Sequence, residues 1–304
     1  MSGKPSVARQ IGWVMRQELS DALRSRRAAV ILLLYLAVSA LTMNGALSGL
    51  LRLENELASV LQLPASPEPG AVTSALWKSE RFRRIVSSAT GSSSLVSELI
   101  GVSPIVLIFA GLAFFYTPIL AILVVSPRIS EEISGGAARF ALCRTSRGAW
   151  SVGKSFGLVG LVGVALLMGG AGAWTVARFR MPGADPMELA SGIFVESLRA
   201  MVYSLPYLGL ALGVSHVTRS PSRATGVALA TLFLVSLLAW VSAKYAGEGW
   251  ARLWSVARAV TPQAYRVDLW FRAPAKFLPA AVSLAALGAV YGAVGFLLFR
   301  RRDL

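Results

Sequence analysis

Long apolar runs without a charged side chain recur along this chain and constrain its fold more than any other feature. The run from Ala28 to Leu51 carries no charge, and comparable runs follow as far as the C-terminal region. A helix needs about 20 apolar residues to cross the hydrocarbon core of a bilayer, and a soluble core rarely needs such runs. Charged residues make up only 15% of the chain. The sequence therefore predicts an all-α, polytopic membrane protein.

Six segments of the chain are apolar and long enough to span a membrane. They lie at about residues 28–51, 103–126, 155–175, 200–217, 226–245 and 277–299. The fourth is short and contains Pro206, so it can instead begin near Ile193, which brings Glu196 and Arg199 to the membrane edge. Apart from Lys244 at the end of the fifth, the six segments contain no Asp, Glu, Lys or Arg. Ion-coupled carriers usually need such groups within the membrane, so secondary transport is disfavoured.

The segment before the first span has the pattern of an amphipathic helix over residues 6–27. Apolar side chains recur every four positions, at Val7, Ile11, Met15, Leu19 and Leu23, while arginines project elsewhere. Trp13 is suited to the depth of the lipid headgroups. The pattern favours a helix lying on the membrane surface, and a solvated leader is the alternative. We therefore divide the chain into this element, residues 1–27, and a transmembrane domain, residues 28–304.

Basic residues are distributed unevenly between the two sets of loops. The N-terminal segment, the loop after the second span, the loop after the fourth and the C-terminal tail hold 16 Lys or Arg in 68 residues, against 14 in 109 residues for the other loops. Because loops rich in Lys and Arg stay in the cytoplasm, both termini are predicted to be cytoplasmic, in a multi-pass protein of the bacterial cytoplasmic membrane. The net charge of +15 comes from short blocks between spans and does not indicate nucleic-acid binding.

Residues 148–155, GAWSVGKS, match the phosphate-binding pattern G-x-x-x-x-G-K-S in full. A true phosphate-binding loop follows a buried strand in a soluble α/β domain, whereas this motif follows a basic loop and opens a span. We therefore expect any ATP to bind on another chain. The single cysteine, Cys143, and the single histidine, His216, lack the partner residues of a metal site or a thiol catalyst. No catalytic, cofactor or metal site is predicted.

The loop between the second and third spans has the richest pattern of charge. Glu131 and Glu132 can start a short helix, with Arg139 and Arg144 near its end, as the helix dipole favours. A glycine pair at 135–136 interrupts it. Such a helix suits contact with a soluble partner, and an ordinary basic loop that only sets topology is the alternative. The residues alone do not decide between them.

Three regions resemble the permease subunits of type-2 ABC transporters. The stretch RQELSDALRSRRA is similar to the elbow helix of that family, and the ending LLFRRRDL is similar to its C-terminal tail. In the loop after the second span, the family has an acidic residue, a Gly-Thr pair, a Ser-Arg pair and a Gly-Lys pair. The matching residues here are Glu131 or Glu132, Gly135, Ser146-Arg147 and Gly153-Lys154. Gly136 stands where the family usually has Thr, and Arg144 where Pro is common.

The resemblance implies a six-span permease subunit without a catalytic site of its own. It implies a separate cytoplasmic ABC ATPase dimer and a second permease subunit, identical or not, and it favours export. Some relatives instead pass mechanical work to an envelope assembly, as in cofactor maturation or gliding, and this is the alternative. Candidate ATPase-coupling residues are Glu131, Glu132, Gly135, Arg139, Arg144, Arg147 and Lys154. The candidate elbow residues are Ile11, Trp13, Met15, Leu19 and Leu23.

Small and mildly polar residues are also patterned along the spans. Glycines occur at helix-packing spacing at Gly157, Gly160 and Gly163, at Gly209 and Gly213, and at Gly288 and Gly292. Such spacing permits close contact between helices, either within the chain or across a dimer. Mildly polar side chains suit a lipid-like, amphipathic or peptide cargo better than a bare ion, and they are Thr42, Asn44, Tyr116, Thr117, Tyr203, Tyr207 and Ser236.

Overall fold

Six long helices dominate the computed structural model. It describes residues 5–60, 93–100, 102–181, 183–245 and 251–301, with isolated residues between 73 and 87. Spans 1 to 6 are Arg26–Val60, Pro104–Ser134, Arg147–Arg180, Pro186–Val217, Pro221–Lys244 and Pro274–Arg300. Each is long and apolar enough to cross a membrane, and the described residues contain no strand. The prediction of an all-α protein with six transmembrane helices is therefore confirmed.

Proline and polar caps explain where several spans begin. Spans 2, 4, 5 and 6 each have proline in the first helical turn, where its missing N–H costs no intrahelical hydrogen bond. The side chain of Asp185 accepts a hydrogen bond from the Met187 N–H at 3.0 Å and caps span 4. Span 4 therefore begins well before residue 200 and continues through Pro206. The alternative start near Ile193 was closer than residue 200, although the helix begins still earlier, at Pro186. Span 4 includes Glu196 and Arg199, which pair at 2.7 Å.

Shorter helices occupy both ends of the bundle. The N-terminal helix is Val7–Arg24, and the loop helix between spans 2 and 3 is Ala137–Arg144. At the opposite end, Ser93–Leu99 and Ala251–Ala259 are helical, and 3₁₀ turns follow at Pro262–Tyr265 and Asp268–Trp270. The last residues of the predicted tail, 302–304, lie outside the described residues.

The expectation that Glu131 and Glu132 start the loop helix is wrong. Both lie in the last turn of span 2, because Ile129 and Ile133 continue its apolar spacing beyond the uncharged run. The chain breaks only at the glycine pair, where Gly136 adopts a φ of +75°. That conformation strains any other residue type and starts the loop helix. The acidic pair therefore belongs to the span, and the loop helix carries the two arginines without it.

Glycines place spans 4 and 6 in backbone contact. A Cβ added to Gly288 would lie 2.5 Å from the carbonyl oxygen of Leu205, and one added to Gly213 would lie 2.6 Å from that of Tyr291. Gly209 directly faces the backbone of Gly288. These glycines therefore pack helices within one chain, which was the first of the two predicted roles, the other being contact across a dimer. The dimer interpretation does not apply to this pair of helices.

Contacts between distant segments show which helix ends meet. The Gln10 side chain accepts a hydrogen bond from the Ser146 N–H at 3.0 Å, and Arg147 donates to the carbonyl oxygen of Arg300 at 2.9 Å. The N-terminal helix, the loop helix and the end of span 6 therefore share one end of the bundle, called here the inner end. The opposite end is the outer end. Their assignment to cytoplasm and exterior is the prediction made from loop charge.

This topology predicts the reactivity of Cys143, which is exposed on the loop helix at the inner end. A membrane-impermeant thiol reagent should leave Cys143 unlabelled in intact cells and label it after lysis. The control carries a cysteine in place of Glu56, which is exposed near the outer end of span 1, in a Cys143→Ser background. That cysteine should label without lysis. Labelling of Cys143 in intact cells contradicts the predicted orientation.

Candidate coupling site

Span 3 begins with a row of glycines that accommodates the N-terminal helix. A Cβ at Gly153 would lie 2.7 Å from the Cβ of Val14, and one at Gly157 would lie 2.8 Å from the Cβ of Glu18. Contacts this short do not occur in real structures, so any side chain here would force the two helices apart. Of the glycine run predicted to pack helices, Gly157 and Gly160 contact this helix, and Gly163 faces span 4 at Met201.

The N-terminal helix turns a partly polar face toward the bundle. Gln10, Glu18 and Ala22 are buried at multiples of four residues. Among the predicted elbow residues, Trp13, Met15 and Leu23 are exposed, while Ile11 and Leu19 are partly buried. The apolar stripe predicted from sequence therefore does not form the main contact with span 3. Its exposed part remains available for the predicted contact with the bilayer surface.

A cluster of four charged side chains lies beneath this contact. The Lys154 ammonium group bonds a carboxylate oxygen of Glu18 and, at 2.5 Å, Oε1 of Glu132. Arg128 Nε lies 3.7 Å from the second oxygen of Glu18. Lys154 is 3% exposed and Glu18 7% exposed, so their desolvation would be costly without partners. Two carboxylates and two cations give a formal charge of zero, and they join the N-terminal helix to spans 2 and 3.

Aromatic and hydroxyl groups extend this cluster toward spans 4 and 6. The Trp150 ring stacks on Phe299 with centroids 5.8 Å apart, and the Lys154 ammonium group lies 5.6 Å from the Trp150 centroid. Buried His216, in the last turn of span 4, lies 3.0 Å from the Ser151 hydroxyl of span 3. The inner ends of spans 2, 3, 4 and 6 are therefore connected through polar and aromatic contacts. Movement of one of them must affect the others.

A cleft of about 880 Å³ opens above the ion cluster. The N-terminal helix forms one wall, the loop helix another, and Glu132 and Lys154 lie at its base. Phe140, on the loop helix, is 79% exposed, which is unusual for an aromatic side chain at an end of the protein predicted to face water. The other side chains lining the cleft include Trp13, Gln17, Asp21, Cys143 and Arg144. The cleft presents aromatic side chains and an arginine, which are residue types enriched at protein interfaces.

The predicted coupling residues separate into two groups. Glu132 and Lys154 belong to the buried cluster, and Gly135 ends span 2. Glu131 is exposed, and its carboxylate lies 3.8 Å from the guanidinium group of Arg27. The loop helix carries Arg139 and Arg144, which are both exposed. Arg147 contacts the end of span 6. The first group holds helices together, and the exposed residues of the second can meet a partner.

Sequence reasoning missed Glu18, Arg128 and Phe140. Glu18 lies outside the apolar stripe on which the prediction for the N-terminal helix rested. A signal was present, since Gln10, Val14, Glu18 and Ala22 form a second four-residue spacing. Its polar members mark a face that needs polar partners. Phe140 carried no comparable signal, because exposure of an aromatic residue depends on the tertiary structure.

The GAWSVGKS motif is helical throughout, inside Arg147–Arg180. The first turn of this helix is capped by the Ser146 hydroxyl, which accepts a hydrogen bond from the Ala149 N–H at 3.2 Å. Beyond that turn, the N–H groups bond within the helix, so they cannot cradle a phosphate. The lysine of the motif is occupied by Glu18 and Glu132. The geometry therefore agrees with the prediction that this motif is not a nucleotide site.

Comparison with curated proteins gives no match. The model of the ABC-2 family transporter proteins matches residues 12–304, which include all six spans, most of the N-terminal helix and the whole cleft. Glu18, the Gly153-Lys154 pair and the loop helix all fall within the matched region. The chain is a member of the ABC-2 family of transporter membrane proteins.

Proposed function

We propose that this permease subunit couples ATP hydrolysis by a separate cytoplasmic ATPase dimer to export of a substrate. The ion cluster is the observation that carries the proposal. Through Lys154, the N-terminal helix is bonded to span 3 and, through Glu132, to the end of span 2. A force applied to the N-terminal helix is then transmitted to spans 2 and 3. An ordinary topological loop has no need of such connections.

The cleft and the loop helix supply the contact surface for the ATPase. Phe140 is an exposed aromatic anchor, and Arg139 and Arg144 flank it on the same short helix. Aromatic and arginine side chains contribute most of the energy at protein interfaces. The loop helix packs against the ends of spans 2 and 3. ATP-driven closure of the ATPase dimer would therefore shift these spans between two packed arrangements.

A second permease subunit completes the proposed complex in the bacterial cytoplasmic membrane. Spans 1 and 5 bury few of their apolar side chains within the chain, and exposed examples include Leu33, Leu41, Phe233 and Leu234. Such faces are suited to lipid or to a second copy or homologue. An ATPase dimer with two permease subunits would then have one loop helix for each ATPase subunit.

Phe140→Ala is expected to reduce co-purification of the ATPase by at least tenfold, because truncating a central aromatic anchor costs about 2 kcal/mol or more. Membrane insertion should be unchanged, since the side chain is exposed and makes no core contact. The measurement is the ratio of ATPase to permease after affinity purification. The matched control is Phe179→Ala, because Phe179 is 83% exposed at the outer end of span 3.

The acidic pair allows a second comparison in the same assay. Glu131→Ala changes only an exposed side chain, whereas Glu132→Ala also breaks the buried cluster. Glu131→Ala should therefore weaken assembly without loss of thermal stability. Glu56→Ala, at the outer end, should have no effect. Wild-type assembly of both Phe140→Ala and Glu131→Ala would contradict the proposed docking surface.

A further inference from the structure

A second cavity of about 470 Å³ lies toward the outer end, between spans 2, 4 and 5 and the outer segment, which consists of the helix Ala251–Ala259 and the residues that follow it as far as Arg266. Along span 5 its lining extends from Ala243 to Leu232. At the rise of an α-helix, these eleven steps correspond to about 16 Å of depth. The cavity is therefore long enough to hold an extended chain of a ligand as well as a compact group.

Most of this length is apolar and aromatic. Phe114 and Tyr203 meet edge to face with ring centroids 5.2 Å apart, and Trp240 borders the cavity with 62% of its surface exposed. Pro118 and Ile119 of span 2 continue the same wall. Bare inorganic ions gain nothing from such surroundings, whereas a hydrocarbon chain is stabilised by them.

Hydrogen-bonding groups in the cavity are incompletely used. Tyr203 and Tyr207 share one hydrogen bond of 2.8 Å between their hydroxyls, which leaves one phenolic proton for a further acceptor. Gln263 donates to the Ser236 hydroxyl at 3.1 Å, but its own buried Oε1 has no partner in the described part of the chain. A buried acceptor without a donor is costly, and a ligand hydroxyl or N–H would satisfy it.

Positive charge is concentrated at one end of the cavity. Arg258 and Arg266 belong to the outer segment and line the cavity, and its described lining residues include no acidic side chain. Neither arginine forms an ion pair within the described ranges. Guanidinium groups bind phosphate and carboxylate oxygens in paired hydrogen bonds. The outer end of the cavity is therefore suited to an anion.

We propose that this cavity binds a single-chain amphiphile whose headgroup is anionic and hydroxylated, and that this amphiphile is the cargo. The headgroup lies between Arg258 and Arg266, its hydroxyl reaches Gln263, and the hydrocarbon chain lies along spans 2 and 5. Assignment of the ligand as cargo rests on the proposed function, whereas the binding site itself does not. Three of the mildly polar span residues, Tyr203, Tyr207 and Ser236, converge here.

The test uses the full chain with its ATPase in nanodiscs of neutral phosphatidylcholine and tritiated lysophosphatidylglycerol as the probe. Saturable binding is expected, with at least tenfold weaker binding of lysophosphatidylcholine that carries the same acyl chain. The double variant Arg258→Ala/Arg266→Ala should bind the anionic probe at least tenfold more weakly. Ala239→Trp should also weaken binding, because it fills the apolar part without changing charge.

The matched control is Arg252→Ala, which removes an exposed arginine from the same outer helix but not from the cavity. Equal binding of the two probes, or unchanged binding by the double variant, overturns the binding site. The anionic probe should also raise ATP turnover at least twofold, and the double variant should lose this response. Binding without any change in turnover identifies a resident lipid and overturns the cargo assignment. Failure of the ATPase to co-purify refutes the proposed function while leaving the binding result interpretable.

Discussion

Lys154→Met is expected to destabilise the protein by about 3–5 kcal/mol, because it leaves two carboxylates without their shared cation in a buried site. Glu18 is 7% exposed, and among the described residues it would retain Arg128 as its one cationic partner, with Nε 3.7 Å away. The N-terminal helix should then detach from span 3 or carry water into the contact. The measurement is the thermal unfolding midpoint of the purified protein, together with the protease sensitivity of residues 7–24.

Charge-matched variants separate this effect from loss of side-chain volume. The double change of Lys154→Met and Glu132→Gln removes one cation and one carboxylate, so the cluster keeps its formal charge of zero and Glu18 keeps Arg128 as its partner. This variant should therefore recover part of the lost stability. Lys244→Met removes an exposed lysine at the other end and should change little. Nucleotide binding by the assembled complex should survive Lys154→Met, since the motif that contains it is helical. Wild-type stability of Lys154→Met would contradict a stabilising role of the ion cluster. Loss of ATP binding by a stable Lys154→Met variant would contradict the conclusion that GAWSVGKS is not a nucleotide site.

Gly209→Val is expected to separate spans 4 and 6 and to cost at least about 1–3 kcal/mol, the range for overpacking a core. The added carbons would meet the backbone of Gly288, which cannot rotate away as a side chain can. Loss of folded protein after detergent extraction, or a lower unfolding midpoint, measures the effect. The control is Gly226→Val on span 5, where a Cβ would meet nothing within 4 Å. Equal behaviour of the two variants contradicts backbone contact between these spans.

The number of spans and their centres could be predicted because each depends on a local apolar run. Their ends could not, because the helices continue past the hydrophobic limit. Span 2 was expected to end near residue 126 and reaches Ser134, carrying Arg128 and Glu132 into the cluster. Span 3 begins at Arg147, so it contains Lys154, which lay just outside the predicted limit. The ionisable groups that seemed confined to loops are therefore part of the spanning helices.

The coupling site was partly predictable for a different reason. The resemblance to a family predicted Glu132 and Lys154, and the charge pattern indicated the loop between them. Their partner Glu18 lies 136 residues before Lys154 in the chain. A contact over that separation is set by how helices pack, and no local spacing encodes it. The role of the glycines was easier to predict, because their spacing already indicated close contact between helices. The spacing did not indicate which helix each glycine contacts.

The position of Gly153 and Gly157 also has a consequence for biosynthesis. The groove that receives the N-terminal helix belongs to the third span, so it does not exist while the ribosome is still making the first two. Until then Lys154 has not been synthesised, so Glu18 lacks this partner and the N-terminal helix cannot pack in its final position. The N-terminal helix can therefore pack in its final position only after the third span has been inserted. A translation pause or mutation that delays this span should leave an early intermediate with an exposed first helix, open to membrane proteases.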